Sequence, residues 1–262
     1  MSLNRRTLLA AAAAAPFAVS ASLQSARGDS NPPPPLSGDA DDIAMLVYPG
    51  FTALDFMGPH HFFGGMPRAR IHVVTTRPDL SPVTSDLGLG VQPTATFETC
   101  PENVALIFVP GGTMGTVEAA RDPRVVSFVR DRASRARYVT SVCTGSLVLG
   151  AAGMLVGKRA TSHWATLPLL EQFGATPVSE RVVRDGNIIT GAGVSAGLDF
   201  GISVVEEMHG RMVAEAGVLI SEYAPQPPID GGTLESARPE IASLLQNSLA
   251  GFVTLASDLR IL

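Results

Sequence analysis

The stretch Tyr138-Val139-Thr140-Ser141-Val142-Cys143-Thr144-Gly145-Ser146-Leu147-Val148-Leu149-Gly150 decides the fold. A β-branched run meets a cysteine and passes at once into small residues and leucines. That pattern predicts a buried strand, a sharp turn at Cys143 and then a helix, which is a nucleophile elbow carrying sulfur in place of a serine oxygen. A residue on such a turn sits at the carboxyl end of a sheet strand, where open α/β sheets bind ligands. It also sits at a helix amino terminus, whose free N–H groups favour a thiolate. The competing reading is a small buried apolar side chain, the usual fate of a free cysteine.

Working outward, the strand-then-helix order repeats. Ile43 to Tyr48 is a continuous apolar run closed by Pro49-Gly50, as expected of a strand buried on both faces. Phe51-Thr52-Ala53-Leu54-Asp55-Phe56-Met57-Gly58-Pro59 then places one acid among apolar neighbours, ahead of a helix that Pro59 can start. Burial would raise the pKa of Asp55 and let it hold a proton to donate. Alternatively Asp55 is a helix amino-terminal carboxylate satisfied by backbone N–H groups. His60 and His61 lack further ligands at useful spacing and read as surface or core histidines rather than a metal site.

Arg70 to Thr75 is the second strand, Pro82 to Pro93 a hairpin excursion, and Val104 to Val109 a third buried strand. The third runs into Pro110-Gly111-Gly112-Thr113-Met114-Gly115, whose backbone N–H groups suit a phosphate or an oxyanion. Rossmann and P-loop spacings are absent, which favours the oxyanion. Asp122-Pro123 starts a helix reaching about Ala136. The implied architecture is a doubly wound, mostly parallel sheet with Cys143 and Gly111-Gly112 on one edge.

Downstream, Lys158 to Trp164 reads as a short strand leading into a helix, with His163 either a base toward Cys143 or packed on Trp164. Arg181 to Thr190 is a hairpin around Asp185-Gly186. Ser195 is placed as the N-cap of a helix presenting Leu198, Ile202 and Val205 on one face, and helices over Arg211 to Tyr223 and Pro239 to about Ala256 close a single domain spanning 41–262.

Only 16% of residues are charged and the net charge is -5, with no basic stripe, which argues against nucleic acid as a partner. Residues 1–30 read as a twin-arginine export signal: Asn4-Arg5-Arg6-Thr7-Leu8-Leu9, an apolar run too short to span a bilayer, and a cleavage pattern at Val19-Ser20-Ala21. Residues 31–40 form a proline-rich linker. The expectation is a periplasmic protein without a stable membrane anchor after processing. With two cysteines, a disulfide framework is not the design, and Cys100 reads as structural or inert.

From Ile43 to Pro228 the chain resembles the ThiJ/PfpI superfamily, whose fold is similar to class I glutamine amidotransferases. Within it, Leu54-Asp55-Phe56-Met57-Gly58-Pro59-His60, Pro110-Gly111-Gly112-Thr113, Thr140-Ser141-Val142-Cys143-Thr144-Gly145-Ser146, Ala160-Thr161-Ser162-His163-Trp164 and Arg184-Asp185-Gly186-Asn187 look like the bacterial isocyanide (isonitrile) hydratases. The resemblance implies an α/β, flavodoxin-like three-layer sandwich and a homodimer. It also implies a lyase that adds water to an isocyanide through Cys143, giving an N-substituted formamide. Asp55 takes the place of the family's acidic residue. Thr144 stands where the peptidase-like branch carries histidine, and Met57 stands where similar hydratases often carry threonine. The candidate donors to developing charge are the backbone N–H groups of Gly112 and Thr144, the Thr144 hydroxyl would orient Asp55, and His163 and Gly111 stand behind them. Neither a metal nor an organic cofactor is called for, and the partner is a small-molecule substrate. Two rival functions are a ligand-binding or redox stress-sensing domain and a glyoxalase-type carbonyl detoxification enzyme.

Overall fold

The computed structural model describes residues 40–262. The expected export signal, 1–30, and all of the expected linker but Ala40 lie outside the described residues.

The chain order is β1 (Asp41–Val47), α1 (Ala53–Phe63), β2 (Ala69–Thr75), β3 (Val83–Thr84), β4 (Gly90–Val91), β5 (Leu106–Val109), α2 (Met114–Arg121), α3 (Pro123–Ala133), β6 (Tyr138–Val142) and α4 (Gly145–Ala151). There follow β7 (Arg159–Ala160), a 3-10 helix (Leu167–Phe173), β8 (Thr176–Pro177), β9 (Val182–Asp185), β10 (Ile188–Gly191), α5 (Ala196–His209), α6 (Arg211–Ile220) and α7 (Pro239–Ser257). Six strands make one sheet in the order β2-β1-β5-β6-β10-β9. Every neighbouring pair is parallel except β9 with β10, the hairpin read from Asp185-Gly186. Helices α1, α5 and α6 pack together on one side, and α2, α3 and α4 on the other, giving the three-layer sandwich. Because β1, β5, β6 and β10 run the same way, the β1–α1 loop, the glycine-rich loop, the elbow and the loop after Gly191 all leave the sheet at one edge.

Several local expectations are corrected or refined. Helix α1 begins at Ala53, so Pro59 lies in its interior instead of starting it. The ring is accommodated because α5 faces it with Gly197, where an added Cβ would sit 3.2 Å from Pro59 Cδ. Helix α3 ends at Ala133, short of Ala136, and the helix after Trp164 is a 3-10 helix. Ser195 takes the expected N-cap position but makes no side-chain capping bond; its carbonyl and hydroxyl both accept from Arg181. The buried face of α5 is Phe200, Gly201 and Val204 with Val205, while Leu198 and Ile202 are half-buried. Gly201 explains the difference: its bare Cα lets α5 approach Phe62 so closely that an added Cβ would lie 3.0 Å from the ring. A hydropathy pattern scores such a glycine as nothing.

At the opposite edge, His209 ends α5 with its Nε2 3.3 Å from Asp41 Oδ2, buried and without a hydrogen bond. Burial holds its imidazole below the ordinary 6.5, against the pull of Asp41 and with Arg68 and Arg137 adding to the depression. The fold therefore accommodates the neutral ring, and the unfolded chain takes up the proton first as the medium acidifies. Stability from this group is complete above about pH 6.5 and is lost as pH falls through the depressed value. Melting temperatures measured between about pH 7.5 and 5 should fall less steeply in His209→Gln than in the parent; equal slopes would remove His209 from the acid response.

Candidate active site

Cys143 has φ 57°, a left-handed backbone for a residue with a Cβ. Such a conformation costs about 1 to 3 kcal/mol and persists only where the surroundings enforce it. Here they do. The Cys143 N–H donates to the carbonyls of Gly191 (3.0 Å) and Ala192 (2.7 Å). Its own carbonyl accepts from the hydroxyls of Ser146 (3.1 Å) and Ser162 (3.2 Å). Gly145 lets α4 start immediately, since an added Cβ would lie 2.3 Å from the Val109 carbonyl oxygen. The strand-turn-helix reading of Cys143 is what the structure contains.

Asp55 lies in the first turn of α1 and is fully buried. Its Oδ2 accepts from the Gly111 N–H at 3.0 Å, while Oδ1 is buried without a hydrogen bond. Gly111 leaves the space in which the acid and the cysteine meet side chain to side chain: an added Cβ would stand 2.5 Å from Asp55 Oδ2, 2.8 Å from Cys143 Cβ and 2.8 Å from the Thr144 nitrogen. Burial pushes the Asp55 carboxyl up to about 7, against the pull of the Cys143 side chain and the Gly111 N–H. Asp86 of the β3–β4 hairpin, which accepts from Thr52 Oγ1 at 2.6 Å, adds a further upward push through its charge. For Cys143, burial raises the thiol well above its ordinary value, the Asp55 charge raises it further, and the Thr144 N–H offsets only part of this. The resting group is thus a thiol, which corrects the expectation of a helix-stabilised thiolate: desolvation of the sulfur outweighs the helix terminus.

Thr144 is buried, but its hydroxyl does not orient Asp55. It donates to the Gly112 carbonyl at 2.7 Å, accepts from the Gly112 N–H at 3.0 Å and lies 2.9 Å from Thr116 Oγ1. Tyr48 donates to the Pro110 carbonyl at 2.6 Å and meets the same Thr116 hydroxyl at 3.0 Å. This network fastens the glycine-rich loop to the elbow. It also occupies the Gly112 N–H, so of the two backbone donors expected from the sequence only that of Thr144 acts on the sulfur. Gly111, expected behind the site, is instead the direct donor to Asp55.

His163 Nδ1 accepts from the Ala165 N–H at 3.3 Å and the ring tilts against Trp164 at 5.1 Å. No hydrogen bond joins the ring to Cys143; its contacts are with Ala165 and Trp164, the packed alternative of the two readings. The residue of that loop which touches the elbow is Ser162. Met57 lies on the outer side of α1 and lines a surface groove, away from the cysteine. Cys100 and Cys143 are both free and buried. Among the described residues no three His, Cys, Asp or Glu side chains converge as metal ligands, and no helix is long and apolar enough to cross a membrane.

The sequence reading missed Tyr48, Thr116, Ser146, Ser162 and Asp86. Thr116, Ser146 and Ser162 are buried hydroxyls in apolar company, a signal that marks them as bonded to something without saying what.

Residues 41–207 match the model of the DJ-1/PfpI family. The chain belongs to the DJ-1/PfpI family. It is a homologue of an enzyme, the isonitrile hydratase of Pseudomonas putida, to which it is 45% identical over 217 residues, 83% of this chain and 93% of that protein. A crystal structure of a ThiJ/PfpI family protein from Pseudomonas syringae superposes with a TM-score of 0.83 at 49% identity, covering 89% of this chain and 97% of the other. Drosophila melanogaster DJ-1beta, at 19% identity and a TM-score of 0.63, covering 71% of this chain and 100% of the other, shares the fold.

Gly111 gives the sharpest steric prediction. Gly111→Ala must displace either the buried carboxylate or the elbow backbone, so it should destabilise the fold by about 1 to 3 kcal/mol. Melting would then fall by several degrees, at roughly 2 to 4 °C per kcal/mol for a domain of this size. An unchanged melting temperature and an unchanged Cys143 reactivity toward a thiol reagent would show that the contact is not tight.

Proposed function

We propose that this chain hydrates isocyanides, as the name of its Pseudomonas putida homologue says of that protein, and that the product is an N-substituted formamide. The observation that carries the reading is the buried Asp55–Cys143 pair, in side-chain contact beside Gly111, with Asp55 Oδ1 left without a hydrogen bond. The chemistry needs a group that takes a proton from a thiol and hands it to carbon, and a carboxyl poised near neutrality does both.

An isocyanide, R–N≡C, accepts a proton at its terminal carbon and becomes electrophilic there. Asp55, as carboxylate, removes the Cys143 proton and delivers it to that carbon while the sulfur attacks it, leaving the thioimidate R–N=CH–S. Water then adds: its oxygen bonds to the carbon and a proton goes to nitrogen. Asp55 takes the remaining proton as the C–S bond breaks, the formamide R–NH–CHO leaves, and the proton returns to the sulfur. Covalent catalysis divides one difficult addition into two easier ones. The raised thiol suits this sequence, because the proton it carries is a reactant and a free thiolate would not supply it.

A redox-sensing role fits less well, since oxidation favours accessible, low-pKa thiols and Cys143 is buried with its thiol raised. The test is turnover of a small aryl or alkyl isocyanide by the purified protein, with formamide followed by mass spectrometry and methylglyoxal offered in parallel. Absence of formamide would refute the reading, and methylglyoxal consumption alone would move it to carbonyl detoxification. We also propose export to the periplasm, on the twin-arginine pattern at Arg5-Arg6. Cell fractionation should find the wild-type chain outside the cytoplasm and an Arg5→Lys/Arg6→Lys variant within it.

A further inference from the structure

Thr52 and Asp55 stand three residues apart at the start of α1, the spacing of a capping box. In that motif the threonine hydroxyl accepts from the N–H of the third helical residue, and the acid there accepts from the N–H of the threonine. Here both halves are diverted. The Thr52 hydroxyl makes no capping bond and donates to Asp86 Oδ2 at 2.6 Å. The Thr52 N–H goes to the Gly111 carbonyl at 2.8 Å, and Asp55 Oδ2 takes the Gly111 N–H in its place. With the box open, the Asp55 carboxyl is turned to the Cys143 side chain.

The position of Asp86 is built into the fold. Strands β3 and β4 form a sheet of their own, two residues to a strand, which is too short to stand without support. The β1–α1 loop supplies it: the Gly50 N–H donates to the Thr84 carbonyl and the Asp86 N–H to the Phe51 carbonyl, each at 2.9 Å. Between these two bonds Ser85 is buried and closes the turn, its hydroxyl accepting from the Leu89 N–H at 3.0 Å and its N–H donating to the Leu89 carbonyl at 2.9 Å. Asp86 itself is exposed, yet backbone and side chain both hold it against the residues that lead into α1.

We propose, resting on the hydratase reading, that Asp86 is a positioning residue for the hydration: through Thr52 it holds the entry to α1 so that Asp55 faces Cys143 instead of closing the capping box. Without the Asp86 carboxylate the Thr52 hydroxyl is free to turn back and accept from the Asp55 N–H, and the acid relaxes toward its own helix. The same carboxylate acts by its charge, which disfavours a second negative charge at Asp55. The other titratable groups around Asp55 are few. Cys143 faces it from the elbow, and Tyr48 at the end of β1 is held un-ionised by burial. The glycine-rich loop from Pro110 to Gly115 brings no titratable side chain. Asp199 in the first turn of α5 is paired with Arg181, and the next titratable residue of α1, His60, is stacked on Phe56.

Two readouts on the full chain test this. With aspartate labelled by carbon-13 at the side-chain carboxyl, the Asp55 resonance, identified by its loss in Asp55→Asn, follows the titration of that group without any turnover. Its midpoint, about 7 in the wild type, should fall by about half a unit in Asp86→Asn, which keeps an acceptor for Thr52 and drops the charge. Asp86→Ala and Thr52→Val lose the bond, and each should lower isocyanide kcat at about pH 8 by roughly tenfold or more with KM unchanged. Thr52→Ser should restore kcat, and the Asp86→Ala/Thr52→Val double variant should lose no more than either single one, because both act through one bond. A merely structural role would lower melting without moving the Asp55 midpoint or separating kcat from KM. Wild-type kcat in either single variant, or losses that multiply in the double one, overturns the positioning role. An Asp55 midpoint unmoved by both Asp86→Asn and Asp86→Ala overturns any hold of Asp86 on that carboxyl. A wild type that turns over no isocyanide sinks the hydratase reading, and the carboxyl titration still decides whether Asp86 acts on Asp55.

Discussion

Cys143→Ala is expected to lower isocyanide turnover by roughly 10⁴-fold or more, the scale on which covalent enzymes respond to loss of their nucleophile. The substitution is structurally mild. Alanine meets the same left-handed strain at φ 57° that cysteine already bears, and the four hydrogen bonds fixing the elbow all go to its backbone. The melting temperature should therefore shift by only a few degrees while activity disappears, and circular dichroism with product detection by mass spectrometry separates the two. Rapid quenching of wild type with substrate should also reveal a protein mass increased by one isocyanide, the thioimidate, and the alanine variant should show none. Formamide production by Cys143→Ala near the wild-type rate would overturn covalent catalysis by this residue.

The second large effect is expected from Asp55→Asn, which keeps the size of the side chain and removes its capacity to carry a proton. Turnover should drop by about 10² to 10⁴-fold, the usual contribution of a positioned acid or base. The pH profile distinguishes this from a general disturbance. With the Asp55 carboxyl pushed up to about 7 by burial, the free enzyme holds the required carboxylate above that value and loses it below. Wild-type kcat/KM should thus fall toward tenfold per pH unit on the acid side of about 7, and the asparagine variant should lack that limb. Stability should move the other way. A carboxyl whose folded pKa lies above its unfolded one contributes most below the unfolded value, and that contribution is lost as pH rises through about 7. At pH 8 the wild type holds a buried carboxylate at a cost that asparagine avoids, so Asp55→Asn should melt higher than wild type there, by a margin that shrinks toward about pH 4. A variant that is both less active and less stable at pH 8 would place Asp55 in a structural role instead.

The strand, elbow and helix around Cys143 were legible because each rests on local chemistry: β-branched residues in β6, then a turn, then small residues that let α4 begin at once. The same holds for β1 with its Pro49-Gly50 stop and for the hairpin at Asp185-Gly186. Misreadings came where distant parts meet. Pro59 looks like a helix start only until Gly197 of another helix is seen to make room for it. The buried face of α5 passes through Gly201, which hydropathy cannot weigh. The Thr144 hydroxyl, expected to orient Asp55, is taken by Gly112, thirty-two positions earlier.

Local patterning suffices to bring the turns bearing Gly111 and Cys143 to one edge of a parallel sheet, because residue periodicity and turn chemistry are written locally and topology follows from their order. Only the tertiary structure decided the protonation of the pair. A pKa depends on how completely water is excluded and on which N–H groups and charges stand within a few ångströms, and no spacing along a chain encodes those. Gly111 shows the division most clearly: the sequence marks it as a loop glycine, and the fold makes it the donor to an acid and the opening in which that acid meets a thiol.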